Sequence, residues 1–179
     1  DYKNLTKKKW TDHKISGTVY TPGTEELNNL IIESYKHFQY SNPLHIDIFP
    51  GLQIMESSIV NMCLDLYKAP PDAIGNITSG GTESIFMACK AYRDFSKETR
   101  FIENPEMIIS KSAHVAFKKS AHYLNIKVIE LEDHSITKKF NVDKLKSVLS
   151  KNTIMVVSSA PSFPNGVIDP LDKITNIVS

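Results

Sequence analysis

The sequence predicts an α/β fold in which a mostly parallel β-sheet is covered by helices on both faces. In the second half of the chain, apolar runs of about five residues alternate with helical patterns, and this alternation is typical of βαβ units. A glycine pair, Gly80 and Gly81, stands where a predicted strand is followed by a predicted helix. The length of 179 residues and the hydrophobic content of 41% are enough for a buried core, in one domain or in most of a larger one.

The first half of the chain is predicted to hold two amphipathic helices. Leucine, isoleucine and aromatic residues recur at helical spacing over residues 25–40 and again over 52–67, and Thr24 is a suitable N-cap for the first helix. Between the helices, residues 41–51 contain too many turn residues for a regular element. This loop combines Asn, His and Asp with apolar residues that we expect to be buried, so its polar groups need one another or a ligand as partners.

The second half is predicted to contain strands and helices in alternation. After the helix that follows the glycine pair, the predicted elements are, in order, residues 107–109, 112–124, 127–131, 142–149 and 153–158, and a final helix opened by Asp169, Pro170 and Leu171. Because a helix connects each strand to the next, we expect the strands to pair in parallel. Their carboxyl ends then share one edge of the sheet, which is where open α/β folds bind ligands.

Three loops are expected at that edge, formed by residues 79–82, 110–114 and 158–160. His114 lies in the second loop, beside Ser112, at the start of a predicted helix. A single histidine in such a place is most often a helix cap or a surface residue. Its position on the same sheet edge as the glycine pair favours a ligand-facing role, and the residues alone leave both interpretations open.

The glycine pair and the residue after it have the chemistry of an anion site. Gly80 and Gly81 lack a side chain, so their backbone can adopt a positive φ and another group can approach it closely. Thr82 follows where a helix begins, and its hydroxyl is suited either to cap the first turn or to face a ligand. The unpaired N–H groups and the dipole of a helix start favour an anion, most obviously a phosphate. The alternative is a glycine turn with a threonine N-cap and no ligand, because one glycine pair is a weak motif.

Composition excludes several classes of protein. The net charge of +1, from 21 basic and 20 acidic residues, gives no basic surface for a nucleic acid. Cys63 and Cys89 lie in apolar helical patterns and are predicted to be small core residues, and neither has a partner at metal-ligand spacing. No apolar run is long enough to span a membrane, and no signal-peptide pattern is present, so we expect a soluble chain without a metal site.

Five stretches of the chain carry a resemblance to a known family. They are residues 16–20 (SGTVY), 42–51 (NPLHIDIFPG), 78–94 (TSGGTESIFMACKAYRD), 112–114 (SAH) and 163–170 (FPNGVIDP). In this order they resemble the sphingosine-1-phosphate lyase family, which belongs to the pyridoxal-phosphate-dependent group II decarboxylases. The resemblance implies the aspartate-aminotransferase-like fold, fold type I, with the large cofactor-binding domain incomplete at its carboxyl end.

The resemblance also implies roles for individual residues. Gly81 and Thr82 match the segment that holds the cofactor phosphate, and His114 matches the histidine that stacks on the pyridine ring. Position 160 departs from the family, because Ala160 stands where a threonine is common. The implied cofactor-binding residues are Gly81, Thr82, His114, Ser79 and Ser159, and the implied substrate-side, catalytic residues are Tyr20, Asn42 and His45.

The function implied for the complete protein is a carbon–carbon lyase. Members of the family use pyridoxal phosphate to cleave a phosphorylated long-chain base, such as sphingosine 1-phosphate, into a fatty aldehyde and phosphoethanolamine. The family's Schiff-base lysine, and the aspartate that pairs with the pyridine nitrogen, have no match here; the lysines at 90, 111, 118 and 119 occupy other positions. We therefore expect residues 1–50 to be an amino-terminal arm with a substrate-side loop, and residues 51–179 to be the first part of a longer cofactor-binding domain.

Two alternatives accompany this interpretation. One is an amino-acid decarboxylase of the same fold, similar to glutamate decarboxylase, which needs a clamp for a substrate carboxylate. The other is a non-catalytic partner that supports the site of another subunit. The resemblance further implies a homodimer with shared active sites. It places the enzyme on the cytosolic side of the endoplasmic reticulum membrane if an anchor precedes this chain, and in the cytoplasm otherwise.

Overall fold

The structure is a computed structural model that describes residues 23–163 and 165–178. The chain divides into two units, Asp1–Asn76 and Ile77–Ser179. The domain boundary expected at residue 50 stays a prediction. In the part of the chain that the structure describes, no helix has both the length and the apolar character needed to cross a bilayer.

The first unit contains two helices, α1 (Glu25–Phe38) and α2 (Pro50–Leu66). The hydroxyl of Thr24 accepts a hydrogen bond from the N–H of Leu27 at 3.4 Å, so the predicted N-cap of α1 is confirmed. The second helix begins at Pro50, where proline is well placed because the first helical position needs no N–H donor.

Neither helix of the first unit buries a side chain. The inner face predicted for α2 is exposed, with Ile54 at 67% and Met62 at 68% of full exposure. Leu44, in the loop between the helices, is 81% exposed, so the prediction that the apolar residues of this loop are buried is wrong for this chain. Both cysteines are predicted to be core residues. The prediction is confirmed for Cys89, which is buried, and wrong for Cys63, which is exposed. Two helices and a loop offer too little surface to cover one another's apolar faces.

The second unit is the predicted α/β structure. Its elements in chain order are α3 (Gly81–Arg100), β1 (Glu106–Ser110), α4 (Val115–Leu124), β2 (Lys127–Leu131), α5 (Val142–Val148), β3 (Thr153–Val157) and α6 (Leu171–Val178). The strands form a parallel sheet in the order β2-β1-β3. Ile109 in the central strand pairs with Glu130 on one side and with Val157 on the other.

Both faces of this sheet are covered, which explains why the middle of β1, residues 107–109, is apolar. Met107 and Ile109 point to one face and pack in a cluster with Cys89 of α3. Ile108 points to the opposite face and packs with Leu145 of α5 in a second cluster. Because side chains alternate along a strand, a strand between two helical layers has no face left for polar residues.

The structure differs from the predicted elements at two places near the sheet. No strand precedes the glycine pair, because residues 76–79 pair with no strand of the described sheet, and a strand is defined by such pairing. The helix predicted from residue 112 begins at Val115, since His114 takes an extended conformation and serves as its N-cap.

Asp169 connects the loop after β3 to the start of α5. Asp169 is 5% exposed, and its carboxylate accepts hydrogen bonds from the N–H groups of Phe140 and Ser159, both at 2.7 Å. The sequence predicts this aspartate as part of a helix start. Its carboxylate bonds instead to two distant backbone groups that would otherwise be buried without an acceptor.

We expect Asp169→Ala to lower the free energy of unfolding by roughly 2–4 kcal/mol, because two backbone donors lose their acceptor. Urea unfolding of the full-length protein measures this change. Asp172→Asn, at an exposed carboxylate three residues further on, is the control and should cost less than about 1 kcal/mol. Equal losses in the two variants would contradict the role given to Asp169.

Candidate functional site

Two of the predicted site loops leave the same edge of the sheet. The strands β1 and β3 are parallel neighbours, and Ile109 pairs with Val157 next to their carboxyl ends. The turn over residues 110–114 follows β1, and Ser158 and Ser159 follow β3. These two loops are therefore adjacent, at the edge where the sequence predicts a ligand site.

The glycine turn lies at this edge too, because α3 runs antiparallel to β3. At one end of the helix, the guanidinium of Arg100 donates to the carbonyl of Thr153, the first residue of β3, at 3.3 Å. Further along, the sulfur of Cys89 lies 4.0 Å from that of Met155 in the middle of the strand. Gly81 is eight residues before Cys89, or roughly 12 Å along the helix, whereas β3 continues for only roughly 7 Å beyond Met155. The helix start thus projects past the carboxyl end of the strand.

The turn before α3 is held by its own side chains. Gly80 is the N-cap, with φ at 158° and ψ at 174°, a conformation that residues with a side chain rarely adopt. The hydroxyl of Thr78 donates to the carbonyl of Gly80 at 3.1 Å and lies 2.7 Å from the hydroxyl of Ser84. The carboxylate of Glu83 accepts the N–H of Ser79 at 2.6 Å. This last bond is a variant of a capping box, in which a side chain in the first turn reaches back to the preceding backbone.

The first turn of α3 keeps its backbone donors free. Ser84 is the first residue whose N–H bonds within the turn, to the carbonyl of Gly80 at 3.1 Å. In the described residues, the N–H groups of Gly81, Thr82 and Glu83 have no protein acceptor, and no side chain caps them. The interpretation of Thr82 as an N-cap is therefore wrong. Three aligned donors at a helix start form an anion cradle that the protein itself leaves unfilled.

Ser79 and Thr82 share a concavity of about 520 Å³ with residues of α4, among them Lys119 and Tyr123. The lysine adds a cationic side chain to the wall, Glu83 adds a carboxylate, and Tyr123 adds an aromatic surface that is 64% exposed. The wall of this concavity therefore carries charges of both signs beside the helix start.

His114 caps α4 with its imidazole ring. Its Nδ1 accepts the N–H of Ala116 at 3.1 Å, so the neutral ring carries its hydrogen on Nε2. The residue is exposed. The capping role weighed from the sequence is thus real, and the ring that caps the helix belongs to an exposed residue at the sheet edge.

The loop after β3 is fixed by backbone contacts to Asp169. Ser159 donates its N–H to the Asp169 carboxylate at 2.7 Å and accepts the N–H of Asp169 at 3.0 Å. Both Ser158 and Ser159 are half-buried. The sequence gives Asp169 no part in the site, although its place in the matched stretch after β3 was an available signal.

The substrate-side residues fall in the other unit or outside the described residues. The side-chain oxygen of Asn42 accepts the N–H of Leu44 at 3.0 Å, and among the described residues its amide N–H groups have no protein acceptor. The carbonyl of His45 accepts the N–H of Phe49 at 2.9 Å, so the loop forms successive turns that present an exposed imidazole. Tyr20 lies outside the described residues.

Within residues 23–163 and 165–178, no group of three His, Cys, Asp or Glu side chains is arranged to hold a metal ion. Sequence reasoning missed the contribution of Glu83, whose position three residues after the N-cap is the signal of a capping box. It also missed Asp133, which follows β2 at the same sheet edge.

Comparison with solved structures gives the class of this α/β structure: the chain has part of the fold of the large domain of fold type I pyridoxal-phosphate-dependent enzymes. It superposes on a sphingosine-1-phosphate lyase of Burkholderia pseudomallei with a TM-score of 0.86 and 34% identity, over 94% of this chain and 40% of that one. A glutamate decarboxylase of Lactobacillus brevis, at 18% identity and a TM-score of 0.64 over 93% of this chain and 46% of that one, shares the fold alone.

Sequence comparison identifies the relatives more closely. The chain is 46% identical over 168 residues to sphingosine-1-phosphate lyase 1 of Rattus norvegicus, which covers 94% of this chain. The same match covers 29% of the relative, so the chain corresponds to less than a third of that lyase. No protein-family model matches the chain. The resemblance to sphingosine-1-phosphate lyases that the five motifs predict is therefore confirmed.

The Glu83 contact should depend on pH. The Ser79 hydroxyl and backbone N–H hold the pKa of the Glu83 carboxyl below its ordinary value. A lowered pKa in the folded state means that the contact stabilises the turn above the ordinary glutamate pKa and is lost as the pH falls through the lowered one. The difference in melting temperature between wild type and Glu83→Gln should thus be largest near neutral pH and shrink under acid conditions.

Thermal unfolding of the full-length protein across that pH range measures the difference. Glu98→Gln, at an exposed position on the same helix, serves as the control for a change of charge alone. A Glu83→Gln difference that stays constant across the pH range would contradict the contact with Ser79.

Proposed function

We propose that the protein containing this chain is a pyridoxal-phosphate-dependent lyase. It cleaves a phosphorylated long-chain base, such as sphingosine 1-phosphate, into a fatty aldehyde and phosphoethanolamine. The observation that carries the proposal is the pairing of a free α3 start with an accessible imidazole at one sheet edge. It occurs in a chain whose relatives, at up to 46% identity, are sphingosine-1-phosphate lyases.

The residues of the second unit fit the cofactor. A phosphate is a match for the free N–H groups of Gly81, Thr82 and Glu83, and a Cβ built on Gly81 meets no atom within 4 Å, so the approach to this backbone is open. The hydroxyl of Thr82 is an additional donor. The exposed ring of His114 is suited to lie flat against a pyridine ring and fix its tilt. Ser79 and Ser159 complete the proposed cofactor-binding set.

The bound cofactor would supply an electron sink for the carbon–carbon cleavage. The chain's own residues would bind its phosphate and orient its ring, while polar groups on the substrate side orient the substrate phosphate or move protons. We propose the latter role for Tyr20, Asn42 and His45. The free amide donors of Asn42 and the exposed imidazole of His45 support it.

A homodimer with shared sites is part of the proposal. Many apolar side chains of α1 and α2 are exposed, among them Leu30, Ile54 and Met62, and exposed apolar surface of this kind favours a contact with another protein surface. We propose, as the resemblance implies, that the catalytic part lies on the cytosolic side. We propose attachment to the endoplasmic reticulum membrane where an anchor precedes this chain, and a cytoplasmic enzyme otherwise.

A direct assay separates this function from its alternatives. Full-length protein supplied with pyridoxal phosphate should release phosphoethanolamine from sphingosine 1-phosphate, and should not release carbon dioxide from glutamate. Carbon dioxide release without phosphoethanolamine would establish the decarboxylase instead. Absence of both products, together with an unchanged cofactor absorbance spectrum, would establish the non-catalytic partner.

Gly81→Ala tests the phosphate cradle separately from folding. The added methyl group meets no protein atom within 4 Å, so the melting temperature of the cofactor-free protein should stay the same. The affinity for pyridoxal phosphate should fall roughly tenfold, because the ligand must approach this backbone closely.

Gly51→Ala is the matched control, since a Cβ at Gly51 in α2 also meets nothing within 4 Å. Binding of pyridoxal, which lacks the phosphate, should be the same in wild type and Gly81→Ala. If Gly81→Ala binds the cofactor with wild-type affinity, the proposal that the cofactor phosphate binds at this helix start is wrong.

A further inference from the structure

The buried hydroxyl of Ser110 connects two loops at the carboxyl edge of the sheet. Ser110 is the last residue of β1 and is 2% exposed. Its hydroxyl donates to the carboxylate of Asp133, which lies two residues beyond the end of β2. A carboxylate can only accept, so the direction of this hydrogen bond is fixed.

With its hydrogen committed to Asp133, the Ser110 oxygen is left as an acceptor. Ser112 supplies both donors: its N–H lies 3.1 Å from this oxygen, and its hydroxyl lies 2.8 Å away. The carbonyl of Ser110 also accepts the N–H of Ala113 at 3.0 Å. Three hydrogen bonds therefore tie the turn after β1 to Ser110, and Asp133 sets the orientation of the hydroxyl that receives two of them.

His114 comes next in the chain after these tied residues. Its Nδ1 accepts a hydrogen bond from the N–H of Ala116. The plane of the ring therefore depends on the position that the turn gives to the backbone of His114. An imidazole that stacks flat on another ring can rotate only a little without losing the contact. The groups that hold the backbone of His114 in place therefore also determine the orientation in which its ring stacks.

We propose that Asp133 is a positioning residue for the imidazole of His114. Acting through the hydroxyl of Ser110, it holds the turn over residues 110–114 so that the ring takes the plane in which it stacks on the cofactor. The inference rests on the proposed function, because it needs a flat ligand at this edge. Asp133 itself touches neither cofactor nor substrate in this arrangement.

A second contact joins the same two loops and provides the control. The ammonium of Lys111 lies 2.8 Å from the carboxylate of Glu132, with the two side chains 58% and 66% exposed. Ion pairs between exposed side chains contribute little to the stability of a fold. Glu132 and Asp133 are thus neighbouring acids with partners in the same turn, and only the partner of Asp133 is a buried group.

The experiment compares Asp133→Asn with Glu132→Gln in the full-length protein. It measures the dissociation constant for pyridoxal phosphate, the visible circular dichroism of the bound cofactor per unit of its absorbance, and the melting temperature of the cofactor-free form. In Asp133→Asn the dissociation constant should rise about five- to tenfold, and the dichroism should fall because the ring is held less firmly. Glu132→Gln should differ from wild type by less than about twofold in affinity.

Ser110→Ala removes the central hydroxyl and should reproduce both changes. The double variant should lose no more than either single variant, because the two residues act through one path. Identical dichroism in Asp133→Asn and Glu132→Gln, or a lower melting temperature with unchanged dichroism, would overturn the inference while leaving cofactor binding established. Failure of the wild type to bind pyridoxal phosphate would overturn the proposed function and this inference together.

Discussion

The parallel pairing of β1 with β3, together with the antiparallel course of α3, is the constraint on which the candidate site depends. Parallel strands bring the loops after them to one edge, and the register that joins Ile109 to Val157 makes those loops neighbours. Because Arg100 and Cys89 hold α3 along β3, the opposite end of that helix arrives at this edge with its N–H groups unpaired. Without this combination, His114 and Gly81 would be unrelated features of the chain.

The two units differ in how much of their apolar surface they bury. The second unit buries the side chains of β1 completely between two layers of helices. The helices of the first unit bury none. Local hydrogen bonds nevertheless form in the first unit: Thr24 caps α1, and the Asn42 side chain closes a turn. The first unit therefore combines defined local structure with exposed apolar side chains, as expected of surfaces that contact other protein.

Much of the fold was predictable because apolar periodicity records which faces are buried. The strand over Lys127–Leu131 matches in full, and β1 and β3 match to within one residue at most boundaries. The strand expected before Gly80 is absent from the described sheet. A strand needs a neighbouring strand to pair with, and the sequence pattern of the segment itself does not specify that neighbour. The exposure of Met62 could not be foreseen either, since an amphipathic pattern does not say what covers the apolar face.

The candidate site was predictable in part. Gly81 and His114 were nominated from a turn motif and a loop position, both of which are local signals, and their roles stay predictions. Asp169 and Asp133 were missed because their partners lie 10 to 29 residues away in the sequence and become neighbours only in the folded chain. Side chains that would support a site without lining it are hard to predict from sequence spacing, because the tertiary structure determines which groups they contact.

The anchoring of α3 at two points along β3 limits how this part of the chain can change in length. Inserting or deleting one residue between Gly81 and Cys89 would turn the helix start by about 100° and shift it by about 1.5 Å relative to the sheet. The N–H groups would then point away from the edge where His114 stands, although the hydrophobic pattern further along the helix would be intact. The number of residues in the first two turns of α3 is thus as restricted as their identity. Among proteins that keep this arrangement, we expect insertions and deletions to occur in the surface loops.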